Sequence, residues 1–524
     1  MNVYAVLLDV VSIQKYIFGS KKLKGNLGAS YLIEEIYLSH LQQAIKKILS
    51  YDKMNFVSWK GKPDECLIKD TKVSFEIGYI GGGNALLLFS EIDKAKDFIR
   101  EWTKILMVEA PGVITAVACN KFDLNNFKKS VKELFGKLWE NKYQHVPQTI
   151  IPRHGITAEC PYTGYSMEIW HDKKKEYMSS VANASINVSE SATNNLERDF
   201  EEELKKGEFS FTENLDSLGQ SKGENNYIAI VHIDGNEIGK MFRESDSLPK
   251  IRNLAIDVDT AIIKSFKHLL NNITNKDKYV KIMKFLGHDT PEKQRKLIEA
   301  NGKKKPILIR PIILGGDDIT FVCDGRLGIW FAKIFIEAFE KQEIKNGQPL
   351  TACAGIAITK TKYPFYRGYV LAEELCKNAK EVRREKNNSG SWLDFHISSG
   401  GFSGTLKDIR DSNYKHIQGE LFFRPYKIGT DREKGVDILL NKIEEIRNNL
   451  PNTKIQKLRK VLTMGKEATE TFINELKARN KELPSYSRYK YHIALFEDEK
   501  TPYYDMIELM DFYPDFELKE KVQS

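Results

Sequence analysis

The feature that most constrains this chain is an internal repeat. Residues 3–18 read VYAVLLDVVSIQKYIF and residues 227–242 read YIAIVHIDGNEIGKMF. Each is an apolar run closed by an acid, Asp9 or Asp234, then a polar turn and a helix start. Further on, FEIGYIGGGNALLLF (75–89) is matched by PIILGGDDITFV (311–322). Both read as strand, glycine-rich tip, strand, the pattern of a hairpin. A helical period follows in each half, through Ile92, Ala95, Phe98, Ile99, Trp102, Ile105 and Leu106, and through Ile329, Phe331, Ile334, Phe335 and Phe339. GVITAVAC (112–119) and LTACAGIAI (350–358) then supply another strand each. The order β-α-β-β-α-β predicts two ferredoxin-like sheet units with helices on one face, an α+β fold.

The rest of the chain is arranged around these units. Residues 1–125 form the first unit, 126–225 an insert, 226–400 the second unit and 401–524 a mainly helical end. Within the insert, 186–225 is rich in Asn, Ser, Glu and Lys and reads as linker or periphery. In the last part, VDILLNKIEEIRNNL (436–450) and KIQKLRKVLTMGKEATETFINEL (454–476) keep helical spacing, punctuated by Pro451. No run of eighteen apolar residues exists, and the opening stretch carries Asp9 and no basic leader, so neither membrane nor secretion is expected. Six scattered cysteines fit reduced thiols in the cytoplasm better than a disulfide framework. A net charge of +8 is compatible with a polyanionic ligand. The sharpest basic cluster, Lys303-Lys304-Lys305 beside Arg310, reads as a solvated loop or a phosphate contact.

Chemistry concentrates in the second unit. Asp234 ends its first strand, Asp317 and Asp318 cap its hairpin, and those strands are neighbours in such a sheet. Three carboxylates at one edge cannot all stay ionised without a cation. Hard divalent ions, Mg²⁺ or Mn²⁺, two in the active unit, satisfy them and suit nucleotidyl transfer. Gly315 and Gly316 allow a triphosphate to approach the backbone. The plain alternative is a solvated Asp/Gly turn. The first unit has Gly81-Gly82-Gly83-Asn84 at the matching tip, so it keeps Asp9 but lacks the hairpin carboxylates. Its glycines remain suited to phosphate, and GASY (28–31) reads as a helix start that would offer Gly28 and Ser30 to an anion or use Ser30 as a cap.

HIDGNEIGK (232–240), LGGDDITF (314–321), LAEELCKNAK (371–380) with SWLDFHI after it, LDVVSIQKYIF, LGASYLIEE and DMIELMDFY carry a resemblance that covers nearly the whole chain. They resemble the palm-polymerase large subunit of type III CRISPR effector complexes, in particular its Cmr-like branch, whose palms are related to GGDEF and nucleotide cyclases. The resemblance implies a palm that joins ATP into cyclic oligoadenylates, messengers of antiviral defence. It places metal on Asp234, Asp317 and Asp318. It places nucleotide near the residues of both tips, Gly235, Asn236 and Lys380. It implies NTP substrates, guide or target RNA and other effector subunits as partners.

Two departures stand out. The first strand begins within five residues of Met1, where the family commonly carries an HD nuclease domain, so no DNase activity is expected. AECPYTGYSMEIWH offers Cys160 with His154 and His171 but no paired cysteines, a poor set for structural zinc. Residues 150–175 are instead expected to be held by apolar packing of Ile156, Tyr162, Tyr165, Met167, Ile169 and Trp170. Two other functions stay open at this point: a stand-alone cyclase making a cyclic mono- or dinucleotide, and a non-catalytic RNA-binding scaffold.

Overall fold

The apolar runs of the repeat form strands, and the central ones are covered on both faces, as their lack of alternation requires, whereas Ile114–Phe122 at the sheet edge alternates buried and half-buried residues. The computed structural model describes residues 3–49, 54–56, 58–70, 72–81, 83–144, 155–212, 218, 226–345, 347, 349–387, 389–398, 404–416, 419–431, 434–486 and 495–517. In the first half, β1 (Val3–Val11), β2 (Phe75–Gly81), β3 (Asn84–Phe89) and β4 (Ile114–Phe122) run in the order β2-β3-β1-β4, with the short strand Met54–Asn55 outside β2. In the second half, β5 (Tyr227–Gly235), β6 (Ile309–Gly315), β7 (Asp318–Asp324), β8 (Ala352–Lys360) and β9 (Trp392–Ile397) run in the order β6-β7-β5-β8-β9. Both halves are palms.

The repeat holds down to single residues. Asp9 pairs across β1 and β3 with Asn84, and Asp234 pairs across β5 and β7 with Asp318. Each hairpin shifts register once, between Ile77 and Tyr79 in β2 and between Pro311 and Ile313 in β6. From these bulges both hairpins run to equivalent tip pairs, Gly81 with Asn84 and Gly315 with Asp318. A bulge at one fixed step adds twist and re-aims the tip beyond it.

The palms dock reciprocally. Helix α1 (Leu23–Tyr37), which follows β1, packs on β6 of the second palm. Helices α2 (Ile92–Glu109) and α3 (Phe127–Gln144) flank β4, and α3 reaches the short second-palm helix Ile238–Glu244. Helix α4 (Ser180–Asp199) belongs to the insert, and α5 (Leu248–Thr274) follows β5 and packs on β2 of the first palm. Helix α6 (Gly328–Glu340) lies between β7 and β8, and α7 (Phe365–Glu385) between β8 and β9. Phe18 of the first palm stacks on Tyr369 of α7, centroids 3.9 Å apart.

One fully buried ion pair pins this arrangement. Arg252 of α5 donates to Glu76 Oε1 at 2.9 Å, to the carbonyls of Gly78 and Ile77 at 2.8 and 2.5 Å, and to the Glu65 carbonyl at 2.6 Å. Gly78 sits in the β2 bulge, so the second palm's helix grips the first palm where its strand is irregular. Glu76 also accepts from the Leu67 and Ile68 amides. A buried charge persists only with its partners supplied in this way.

The insert departs from its sequence reading. Residues 186–199 are not linker: they continue α4, capped by Ser179, and lie along α1. Contact is made through small residues, and a Cβ on Gly28 would stand 1.7 Å from the Ser185 carbonyl oxygen. GASY therefore lies in the middle of α1, which begins five residues before Gly28, and exposes no free helix N–H. Cys160, Met178, Ala182 and Ile186 form a small core with Tyr162 and Met167. Ile156, Ile169 and Trp170 do not join it, being 98, 37 and 45% exposed. His154 lies outside the described residues. The end of the chain is mainly helical, with Val436–Asn449, Asn452–Val461, Lys466–Lys477 and Tyr503–Leu509.

Candidate active site

Strand alternation builds the site. Asp234 and His232 are two residues apart on β5 and project to one face, as do Asp318 and Thr320 on β7. His232 Nδ1 and Thr320 Oγ1 lie 3.0 Å apart. Ligating atoms of His232, Asp234 and Asp318 all fall within 4.8 Å of one another, close enough to share one ion. Asp317 is not a member of that cluster. Its carbonyl oxygen accepts from the Gly235 amide at 2.9 Å, tying the hairpin tip to the end of β5. His232 carries no signal in the sequence beyond its place in HIDGNEIGK, two residues before Asp234 on one strand, which puts both on the same face.

The electrostatics are those of a site short of positive charge. Burial, then Asp234, pushes the Asp317 carboxyl up to about 6, with Lys380 opposing. Burial, then Asp234 and Asp317, holds Asp318 well above the usual carboxylate range. Burial pushes His232 down to about 4, so at neutral pH it is the uncharged imidazole. Lys380 of α7 ion-pairs with Asp234 Oδ2 at 2.6 Å and lies 3.5 Å from the Gly235 carbonyl. One ammonium therefore faces three carboxylates.

A cavity of about 840 Å³ opens between the palms, within the size range of small-molecule sites. Both hairpin tips line it, through Gly81, Gly83 and Asn84 on one side and Gly315, Gly316, Asp317 and Asp318 on the other. Ser30 and Arg310 also line it, whereas Gly28 lies under Ser185. Gly316 and Gly83 adopt φ of 67° and 74°, a turn conformation that glycine takes without strain. The Gly83 carbonyl accepts from Tyr37, and Asn84 Oδ1 accepts from Tyr79 at 2.5 Å. Gly82 lies outside the described residues. Asn236 is buried and held by Thr351 through its amide N–H, at 2.8 Å, and its side chain, at 3.0 Å. Of the basic run, Lys304 and Lys305 are paired with Glu197 and Glu208.

Residues 227–389 match the model of the Cas10/Cmr2 second palm domain. That segment, the second palm, is Cas10-like. Among solved structures the chain is similar to an apo Csm1–Csm4 cassette, with 14% identity, 97% of this chain and 70% of that chain covered and a TM-score of 0.49. It is also similar to that cassette in complex with pppApA (12%, 97% and 69%, 0.48) and with cA4 (12%, 97% and 70%, 0.45). No curated protein sequence matches it. A Cas10-like palm implies a divalent metal, and the residues present fit one: Asp234 and Asp318 offer close carboxylate oxygens whose mutual repulsion a dication relieves. All six cysteines are unbonded, four of them buried. No helix among the described residues is long and apolar enough to cross a membrane.

Proposed function

We propose that this chain is a metal-dependent nucleotidyltransferase that joins nucleoside triphosphates, ATP foremost, into a cyclic oligonucleotide messenger of antiviral defence. The observation that carries the reading is the pairing of Asp234, at the end of β5, with Asp318 at a glycine hairpin tip that lines a cavity between the palms. Asp234, Asp317 and Asp318 would hold Mg²⁺ or Mn²⁺. When bound, such ions lower the pKa of an attacking hydroxyl and neutralise charge on a departing pyrophosphate.

The chain's own residues do the positioning. Gly315 and Gly316 admit phosphate close to the backbone, where a side chain would exclude it. The Asp317 carbonyl, fixed by Gly235, keeps the two carboxylate-bearing strands in register. Gly81, Gly83 and Asn84 supply a second tip without carboxylates, suited to holding the nucleotide whose 3′-hydroxyl attacks. Tyr37 and Tyr79 hold that tip in shape. Gly82 belongs with them in this reading, Asn236 fixes the turn after Asp234, and Ser30 lines the wall. The proposed division is 1–125, 126–225, 226–400 and 401–524, and the partners are NTPs, guide or target RNA and other effector subunits, in the cytoplasm.

The test is incubation of the purified protein with labelled ATP, and separately GTP, with Mg²⁺ or Mn²⁺ and with or without RNA. Oligonucleotide products are expected, and Asp234→Ala should abolish them in a folded protein. Equal turnover by that variant would show that the site lies elsewhere. Turnover to a cyclic mono- or dinucleotide alone would replace the messenger assigned here.

A further inference from the structure

The two palms share one more feature that neither the hairpins nor the cavity explain. In the first palm, Lys142 Nζ lies 2.7 Å from Asp9 Oδ2. In the second, Lys380 Nζ lies 2.6 Å from Asp234 Oδ2. Lys142 stands fifteen residues after Phe127, the first residue of α3, and Lys380 fifteen after Phe365, the first of α7. Both helices follow the fourth strand of their palm in the chain, and the two aspartates hold the same register against Asn84 and Asp318. The lysine is thus part of the repeated unit, preserved in place in both copies.

Its surroundings differ between the copies. In the first palm the facing positions are Gly83 and Asn84, so one ammonium meets one carboxylate and the site is neutral. In the second palm the same ammonium meets Asp234, Asp317 and Asp318. Both members of each pair are largely withdrawn from water, with side-chain exposures of 26 and 15% for Lys142 and Asp9 and 21 and 30% for Lys380 and Asp234. A cation and a divalent ion drawn to one carboxylate repel each other, strongly where water is scarce.

We propose that this lysine is a built-in counter-cation of the palm, permanent in the first copy and displaceable by a divalent ion in the second. Lys142 keeps Asp9 neutralised in the palm that has lost its other carboxylates. Lys380 occupies Asp234 while the second palm is empty and lowers its affinity for metal. It leaves Asp234 when a dication binds and becomes available to an anionic ligand in the same cleft. This inference rests on the metal-binding reading of Asp234 and Asp318 given above, but not on turnover.

The experiment is Mn²⁺ titration without nucleotide, with the free ion followed by electron paramagnetic resonance. Parent, Lys380→Met, Lys380→Gln and Lys142→Met are compared, with Asp318→Ala marking the second-palm site. At 2.6 Å from Asp234 the ammonium repels a dication drawn to the same oxygen even where water screens it, so removing Lys380 should tighten the Asp318-dependent site roughly tenfold or more. Lys142→Met should create no new Mn²⁺ site. If the Met variant does not fold, the Gln variant carries the same expectation. Equal or weaker Mn²⁺ binding in the folded Lys380 variants would overturn the proposal and make Lys380 a residue that positions Asp234 for metal. A Mn²⁺ site gained in Lys142→Met would overturn the assignment of the first palm. Absence of any Asp318-dependent Mn²⁺ binding in parent and variants alike would sink the metal reading itself, a separate outcome.

Discussion

Metal-free protein should lose stability as pH rises through the weakly acidic range, and Asp318→Asn should remove much of that loss. The carboxyl of Asp317 is held up at about 6 and that of Asp318 is also held well above the 3.8 of an ordinary aspartate. A raised pKa means that the folded protein binds these protons more tightly than the unfolded chain. The penalty is absent below pH ~4 and grows between about 4 and 6 for Asp317, and the raised carboxyl of Asp318 adds to it in the same direction. One unit corresponds to about 1.4 kcal/mol, so the shift of Asp317 alone sets a ceiling of ~3 kcal/mol at neutral pH. Partial solvent access at the tip lowers this to roughly 1–3 kcal/mol. Asn at 318 deletes one of the repelling charges and relieves Asp317 as well. Urea unfolding in chelator at pH 4.5 and 7 is the assay. Variant and parent should be nearly equal at pH 4.5, with the variant ahead by about 1–3 kcal/mol at pH 7. Adding Mg²⁺ at pH 7 should raise the parent more than the variant, because only binding to the folded state stabilises. A gap that is the same at both pH values would refute the reasoning.

Two predictions concern the frame. Arg252→Met should cost about 3–5 kcal/mol, because Glu76 is left buried without its cation, and the fall in urea midpoint would measure it. Gly28→Val should separate α1 from α4, since even a Cβ would overlap the Ser185 carbonyl, and about 1–3 kcal/mol of destabilisation is expected in the same assay.

What the sequence reveals here depends on which contacts are made through side chains. The paired palms are visible because their strands bury Val, Ile, Leu and Phe, and because Asp and Gly punctuate both copies at the same places. The α4 contact is invisible to such reading. Ser185 meets Gly28 on a helix whose buried residues include Ala182, Ser185, Ser189 and Thr193, small rather than strongly apolar, and so it reads as linker. The start of α1 is missed for a related reason. Gly28 marks a close approach of two helices, whereas a glycine beside Ser suggests a helix end. Ile156 and Trp170 mislead in the opposite direction, since hydrophobicity alone does not say that a short insert can bury them. Within the site, Asp234 and Asp318 are legible from their place in the repeat. The pairing of Lys380 with Asp234 crosses from a helix to a strand end, and along the chain it is marked only by the matching place of Lys142 in the other copy.

The reciprocal docking of the palms has a consequence for how such a protein can change over generations. Two identical subunits meeting in this manner would present the same tip from both sides, because one gene would write both. Any alteration that improved a tip for holding a nucleotide would appear at once in the tip that does the chemistry. Joining the two copies in one polypeptide removes that constraint. Here the shared architecture persists, with the same bulge, the same aspartate and the same lysine in each half. The tips have diverged to Gly-Gly-Gly-Asn and Gly-Gly-Asp-Asp. Covalent linkage lets two copies of one fold divide their labour while the surface that joins them stays the same.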